Sequence, residues 1–294
     1  MKEFLFKGAA TALYTPFTKG KINFDALGKL IAEQVSAGIE AVVILGTTGE
    51  AATISDKERT EMIGFSVDAV NKRVPLIVGC GSNDTEKAAI LASQAKKLGA
   101  DGALCVTPYY NKCNQYGLVK HYEYISDKSD FPVIAYNVPT RTGVKVEPET
   151  LGKLIKIKNV IGYKEADGEK KNYEKTLGLY SDKIAVYSGT DKVNAEFMHK
   201  GASGCISVLS NIIPCKIIDI INNYENYYKY GDTLYNELCD AMFSDVNPIP
   251  LKSAVKLIRK AGYELRLPLT PLDKAKTEYL ESVLNKIKAK GLLC

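Results

Sequence analysis

An α/β chain closed into an eight-stranded (β/α)8 barrel, with a helical appendage at its C-terminal end, is what the sequence predicts. Three observations carry this. Eight apolar, strand-like runs recur at fairly even spacing, segments of helical periodicity lie between them, and the strand signal ends near residue 225. Strands alternating with helical stretches of roughly 10–15 residues imply parallel βα units. Eight such units in about 220 residues fit a TIM barrel, whose typical size is ~250 residues.

The strand runs are "AATALYTP" (9–16), "AVVILGTTG" (41–49), "PLIVGCGS" (75–82), "GALCVTPYY" (102–110), "PVIAYNVP" (132–139), "VIGYKEA" (160–166), "IAVYSGTD" (184–191) and "GCISVLSN" (204–211). After the first comes "FDALGKLIAEQVSAG". After the second comes "SDKERTEMIGFSVDAV", opened by a Ser55–Asp56 cap with Glu58 three residues beyond Ser55, the pattern of a capping box. After the third comes "NDTEKAAILASQAKKLGAD", stopping at Gly99. An open doubly wound sheet would call for G-x-G-x-x-G after the first strand. None is there, and "GCGSND" lacks the third glycine. Beyond residue 225 the sequence is helical, with breaks at "DVNPIP" (245–250) and "LRLPLTP" (265–271). We expect residues 1–225 to form the barrel and 226–294 an appendage packed on it, too short for a large core of its own.

Composition narrows the classes. Of 294 residues, 46% are hydrophobic and 25% charged, typical of a globular protein. The net charge of +5 comes from 34 Lys and five Arg against 34 acids, interspersed along the chain. That is too mild and scattered for a nucleic-acid partner, and the tail "LNKIKAKGLLC" reads as a solvated helix end. No apolar run reaches membrane-spanning length, and the N-terminus does not read as a signal peptide. Cysteines 80, 105, 113, 205, 215, 239 and 294 form no C-x-x-C, which suggests reduced thiols in a cytoplasmic protein. His121 and His199 are the only histidines and lie in no motif, so a His-rich metal site is not expected.

In such barrels the active site lies at the C-terminal ends of the strands. Thr47 and Thr48, Tyr109 and Tyr110, Tyr136, and Lys164 fall at that edge. Lys164 shares a strand face with Gly162 and Val160. If that face is the interior, Gly162 leaves room beneath a long side chain in an apolar mouth. Burial pulls a lysine pKa down from ~10.4, and the neutral amine is a nucleophile toward carbonyls. The plainer alternative is a lysine that reaches back to water or pairs with Glu165. Schiff-base chemistry needs protons moved on and off a carbinolamine. Tyr136 can shuttle them, and Thr47 can relay them to Tyr110, although most of the 18 tyrosines must be packing or surface groups. Arg141, in "NVPTRTG" between Pro139 and Gly143, suits a substrate carboxylate, or is simply a surface arginine.

Together "GTTGE" (46–50), "TPYYN" (107–111), "YNVPTRTG" (136–143) and "GYKEADG" (162–168) resemble the dihydrodipicolinate synthase family. That family belongs to the pyruvate-dependent class I aldolases, which include N-acetylneuraminate lyase. The resemblance runs in order over essentially the whole chain. It implies a lyase of diaminopimelate and lysine biosynthesis, condensing pyruvate with L-aspartate-4-semialdehyde without metal or dissociable cofactor. Lys164 would form the Schiff base. Tyr136, Thr47 and Tyr110 would be the proton relay, with Tyr110 lent by a neighbouring subunit. Thr48 and the Gly189 backbone would seat pyruvate's carboxylate, Ile206 would line the pocket through its backbone, and Arg141 would hold the semialdehyde carboxylate. A homotetramer, a dimer of dimers, is the family's usual state. Sister aldolases acting on sialic or 2-keto-3-deoxy sugar acids share the lysine and tyrosine, but Arg141 and the Tyr109–Tyr110 pair favour a substrate with a carboxylate and no polyol chain. A non-catalytic binding barrel would have lost a relay residue, and none is missing. A metal-dependent barrel hydrolase would need a His/Asp cluster that the sequence lacks. Lysine-inhibited members carry two histidines after "GTTGE" and an asparagine and a glutamate after strand three. Here Asn83 and Tyr109 remain, Asp56 and Arg59 stand where the histidines would fall, and Lys87 replaces the acid.

Overall fold

The computed structural model of the chain describes residues 4–293. Eight parallel strands close into a barrel in sequence order: Gly8–Ala12, Ala41–Ile44, Leu76–Gly79, Gly102–Val106, Val133–Asn137, Val160–Glu165, Ala185–Ser188 and Gly204–Ser207. The eighth pairs with the first, Ala9 opposite Cys205 and Ala10 opposite Ile206. Every predicted strand is present, but each is shorter than its apolar run. The C-terminal part of each run instead forms the loop that leaves the barrel mouth, as "LGTTG" does after Ile44.

Both strand faces are covered, which is why the strands read as continuous apolar runs rather than as alternating ones. Ala10, Val43, Ile77, Ile134, Ala185 and Ile206 fill the interior. Ala9, Val42, Val78, Ala135, Val186 and Cys205 meet the surrounding helices. Phe6, just before the first strand, stacks on Tyr187 with ring centroids 4.3 Å apart and closes the floor.

Local chemistry sets the helix ends. Asn23 caps helix Phe24–Ala37 and Gly38 ends it at φ 91°. Ser55 and Glu58 form a complete capping box on helix Asp56–Val70, an arrangement that satisfies two otherwise unpaired N–H groups. Asp84 caps Thr85–Lys97. Helix Pro139–Thr142 has Pro at its first position and Gly143, at φ 68°, beyond its last. This short helix sets the direction of Arg141.

After the eighth strand and helix Pro214–Asn222 come helices Tyr224–Tyr230, Thr233–Met242, Ile249–Arg259 and Lys274–Ala289. The last buries Leu280, Val283, Leu284 and Ile287. The lysine-rich tail is therefore solvated on one face only. Cys294 lies outside the described residues. No helix among them is long and apolar enough to cross a membrane.

Candidate active site

Lys164 sits on the inward face near the end of the sixth strand, with Tyr136 and Tyr187 as its neighbours in register on either side. Only 6% of it is exposed. Its Nζ lies 4.4 Å from the centroid of the Tyr136 ring. Burial lowers its pKa to about 8; the negative field of Asp191 partly opposes this and the Arg141 guanidinium adds to it. A lysine with such a pKa has a substantial neutral fraction near neutral pH, where a solvated one has almost none.

Strand alternation also decides against pairing with Glu165. That residue points away from the interior. Its Oε1 accepts from Asn137 Nδ2 at 2.8 Å and from the Asp167 backbone N–H at 2.7 Å, and its Oε2 accepts from the Tyr163 hydroxyl at 3.0 Å. Burial raises the pKa of Glu165 to about 7.

The space for Lys164 does not come from Gly162. A Cβ there would meet Ile134 and Tyr187 at 3.1 and 3.2 Å, so the room beneath the lysine is already filled by their side chains. The glycine that matters is Gly189 on the neighbouring loop. A Cβ there would stand 2.9 Å from Lys164 Cε and 2.8 Å from Ala166 Cβ. Sequence spacing finds neighbours along one strand, whereas this approach is made across two.

A cavity of about 230 Å³ opens above Lys164 and is lined by Thr47, Thr48, Tyr136, Arg141 and Gly189 among others. Six of the eight expected site residues therefore share one space. Burial raises the pKa of Tyr136 to about 12, and the nearby Arg141 guanidinium and Thr47 hydroxyl partly offset this. The tyrosine stays protonated at neutral pH, able to donate and accept. Ile206 is 1% exposed and faces the barrel interior, but does not line the cavity. Tyr110 lies elsewhere. It is 90% exposed, has a left-handed backbone at φ 72°, and lines neither the Lys164 cavity nor its neighbour. Of the expected relay residues, only Tyr136 and Thr47 line this cavity.

Sequence reasoning missed Asn247, which sits in the "DVNPIP" break. Its Nδ2 donates to Thr48 Oγ1 at 2.9 Å and its carbonyl accepts from Arg141 Nη2 at 2.9 Å. It thus ties two expected carboxylate-binding residues together. It also missed Asp191, fully buried beside the lysine. Its carboxylate accepts from Ser207 Oγ at 2.5 Å and from the Val208 and Leu209 backbone N–H groups. A larger cavity of about 560 Å³ adjoins the first and brings Asp56, Arg59, Asn83, Lys87 and Tyr109 together. Arg59 is buried there, with Nη2 2.8 Å from the Gly79 carbonyl, while Lys87 is exposed.

Neither histidine lines these cavities. His121 is buried, with Nδ1 2.9 Å from Thr85 Oγ1, and burial lowers its pKa to about 4. His199 is paired with Glu225. Among the described residues no group of three or more His, Cys, Asp or Glu side chains is arranged to hold a metal ion.

The chain resembles known proteins over nearly its whole length. The model of the dihydrodipicolinate synthetase family matches residues 5–287. The 4-hydroxy-tetrahydrodipicolinate synthase of Alkaliphilus oremlandii is 43% identical over 287 residues, covering 96% of this chain and 99% of that one. The crystal structure of dihydrodipicolinate synthase from Thermotoga maritima matches with a TM-score of 0.93 at 38% identity, over 99% of this chain and 100% of that one. The chloride-inhibited dihydrodipicolinate synthase from Acinetobacter baumannii, solved in complex with pyruvate, matches with a TM-score of 0.90 at 38% identity, over 97% and 99%.

Proposed function

The chain belongs to the dihydrodipicolinate synthetase family and is a lyase, and from that membership we propose that it condenses pyruvate with L-aspartate-4-semialdehyde through a Schiff base on Lys164. The observation that carries this reading is the buried lysine of lowered pKa against the Tyr136 ring, in a cavity that Thr47 also lines. The neutral Lys164 amine adds to the ketone carbon of pyruvate, and the carbinolamine loses water to give an imine. Tyr136 moves the protons, with Thr47 behind it. Loss of a methyl proton gives the enamine, whose carbon attacks the aldehyde. The amine of the adduct then attacks the imine carbon, closes the ring and releases Lys164. We propose no cofactor, because the protonated imine is itself the electron sink.

Thr48 and the Gly189 backbone would seat pyruvate's carboxylate and Arg141 that of the semialdehyde, with the Ile206 backbone beneath. Residues 1–225 would be the catalytic barrel and 226–294 an appendage that lends Asn247 to its wall. We place the enzyme in the cytoplasm, in keeping with its buried thiols Cys80, Cys105 and Cys205, and as a homo-oligomer, a dimer of dimers, in which Tyr110 completes a neighbour's relay. Two assays test the activity side by side. Product should form from pyruvate with aspartate semialdehyde, and N-acetylneuraminate should not be cleaved; the reverse outcome would make the chain a sister aldolase.

Arg141→Ala removes a charge-assisted contact. Such hydrogen bonds contribute ~1.5–3 kcal/mol, so kcat/KM for the semialdehyde should fall at least about tenfold while pyruvate still forms its imine. Unchanged semialdehyde kinetics would show that another group holds the carboxylate.

We also propose that L-lysine inhibits this enzyme weakly or not at all. Lys87 and the buried Arg59 put two cations around the cavity that the effector's ammonium groups would enter. Like charges ~4 Å apart repel by ~1 kcal/mol even in bulk-water dielectric, and by more when partly buried. Asp56 offsets this in part, and Lys87→Glu alone should not create inhibition. Half-inhibition below a millimolar in a dose–response assay would overturn the prediction.

A further inference from the structure

The loop Gly46–Glu50 carries Thr47 and Thr48. It is bracketed by two non-glycine residues in the left-handed region, Leu45 and Glu50, both at φ 55°. Backbone of that kind persists where the surroundings over-determine it. Glu50 is held by groups from distant parts of the chain. Its Oε1 lies 3.0 Å from Lys252 Nζ, and both side chains are 1% exposed. Its Oε2 accepts from the Arg266 backbone N–H at 3.0 Å. Lys252 Nζ also donates to the carbonyls of Thr15 and Glu264 at 2.6 and 2.7 Å and lies 4.5 Å from the Phe17 ring centroid. The Thr15 hydroxyl in turn donates to the Gly49 carbonyl at 2.6 Å. The loop is therefore tied at two successive residues; neither Glu50 nor Lys252 lines the Lys164 cavity, and Glu50 lines the larger cavity beside it.

Lys252 stands in helix Ile249–Arg259, which begins just after Asn247. One C-terminal segment thus grips Thr48 directly through Asn247 and the end of the same loop through Lys252. A buried ion pair is a poor way to gain stability, since apolar residues of similar volume often serve as well or better. Its value lies in fixing one geometry.

We propose that the Glu50–Lys252 pair is a positioning device for the condensation, holding the Thr47 hydroxyl at Tyr136 and Thr48 at the carboxylate pocket, and so making the helical appendage part of the proton relay. The inference rests on the functional reading above.

The test uses full-length Glu50→Gln, Lys252→Met and the double variant. It compares Tm, kcat, the KM for pyruvate and borohydride trapping with those of the wild-type protein. Each single variant leaves one buried group uncompensated and should lower Tm. The double variant should recover part of that loss, because the two sites are in contact and their effects do not add. Its activity should not follow. We expect kcat at least about tenfold below wild type and a raised KM for pyruvate, with Lys164 still trapped at saturating pyruvate. A folded double variant with wild-type kcat and KM would overturn the proposal. So would a double variant that cannot fold, which would make the pair a determinant of the fold alone. Wild-type protein that neither traps nor condenses pyruvate would overturn the functional reading instead.

Discussion

Lys164→Ala should abolish turnover, with a loss on the order of 10³-fold or more, the scale seen when a covalent nucleophile is removed. Pyruvate plus borohydride should inactivate the wild-type protein and add one reduced pyruvyl group to the peptide containing Lys164. Lys164→Ala should take up none, and neither should Lys164→Arg, because a guanidinium stays protonated. The pH dependence follows from the pKa of about 8. A lysine is nucleophilic only after losing its proton, so a lowered pKa moves the onset of reactivity to lower pH. Trapping at fixed subsaturating pyruvate should rise through pH 8 and level off above it. An exposed lysine would instead keep gaining toward ~10.4. The same shift has a stability consequence. Between these two pKa values the unfolded chain binds the proton and the folded one does not, so this group makes stability rise with pH over that window. Label at a different lysine, or a profile still climbing above pH 10, would remove Lys164 from its role.

How far the sequence alone could lead follows from the range of each contact. Strand order and helix ends depend on periodicity and on caps within a few residues, and Ser55 with Glu58 was legible for that reason. Lys164 was legible because an ammonium group ending an apolar strand conflicts with its surroundings, and such conflicts gather at functional sites. Glu50–Lys252 and Thr48–Asn247 were not legible. Each joins residues about 200 positions apart, and a break such as "DVNPIP" looks the same whether it faces solvent or a catalytic pocket. Gly162 and Gly189 fail in the same way. Choosing between them requires the placement of the loop after the seventh strand against the end of the sixth. Asp191 was quoted within its strand run, yet nothing local says that its carboxylate turns inward to bind the start of the segment after strand eight.

Tyr110→Phe should be nearly inactive by itself and yet restore activity to Lys164→Ala when the two are mixed. Tyr110 is the one proposed relay residue that does not line the Lys164 cavity of its own chain. It is 90% exposed, and its backbone sits at φ 72°, a conformation unusual for a residue with a Cβ. A large exposed aromatic held on unusual backbone beside the half-exposed Tyr109 suits insertion into a second copy. General acid–base groups contribute typically ~10²–10⁴-fold, so removing the hydroxyl should cost at least about 10²-fold in kcat. In a two-fold symmetric dimer each site takes its lysine from one chain and its Tyr110 from the other. A hybrid of the two variants then holds one site with both groups intact and one with neither. Random exchange at equal concentrations makes about half of the dimers hybrids, so about a quarter of all sites regain function. Recovery near a quarter of wild-type activity is therefore the expected plateau, reached at the rate of subunit exchange. Exchange is followed independently by mass spectrometry on isotopically distinct chains. Complete exchange with no recovery would return Tyr110 to its own subunit, or place it outside the chemistry altogether.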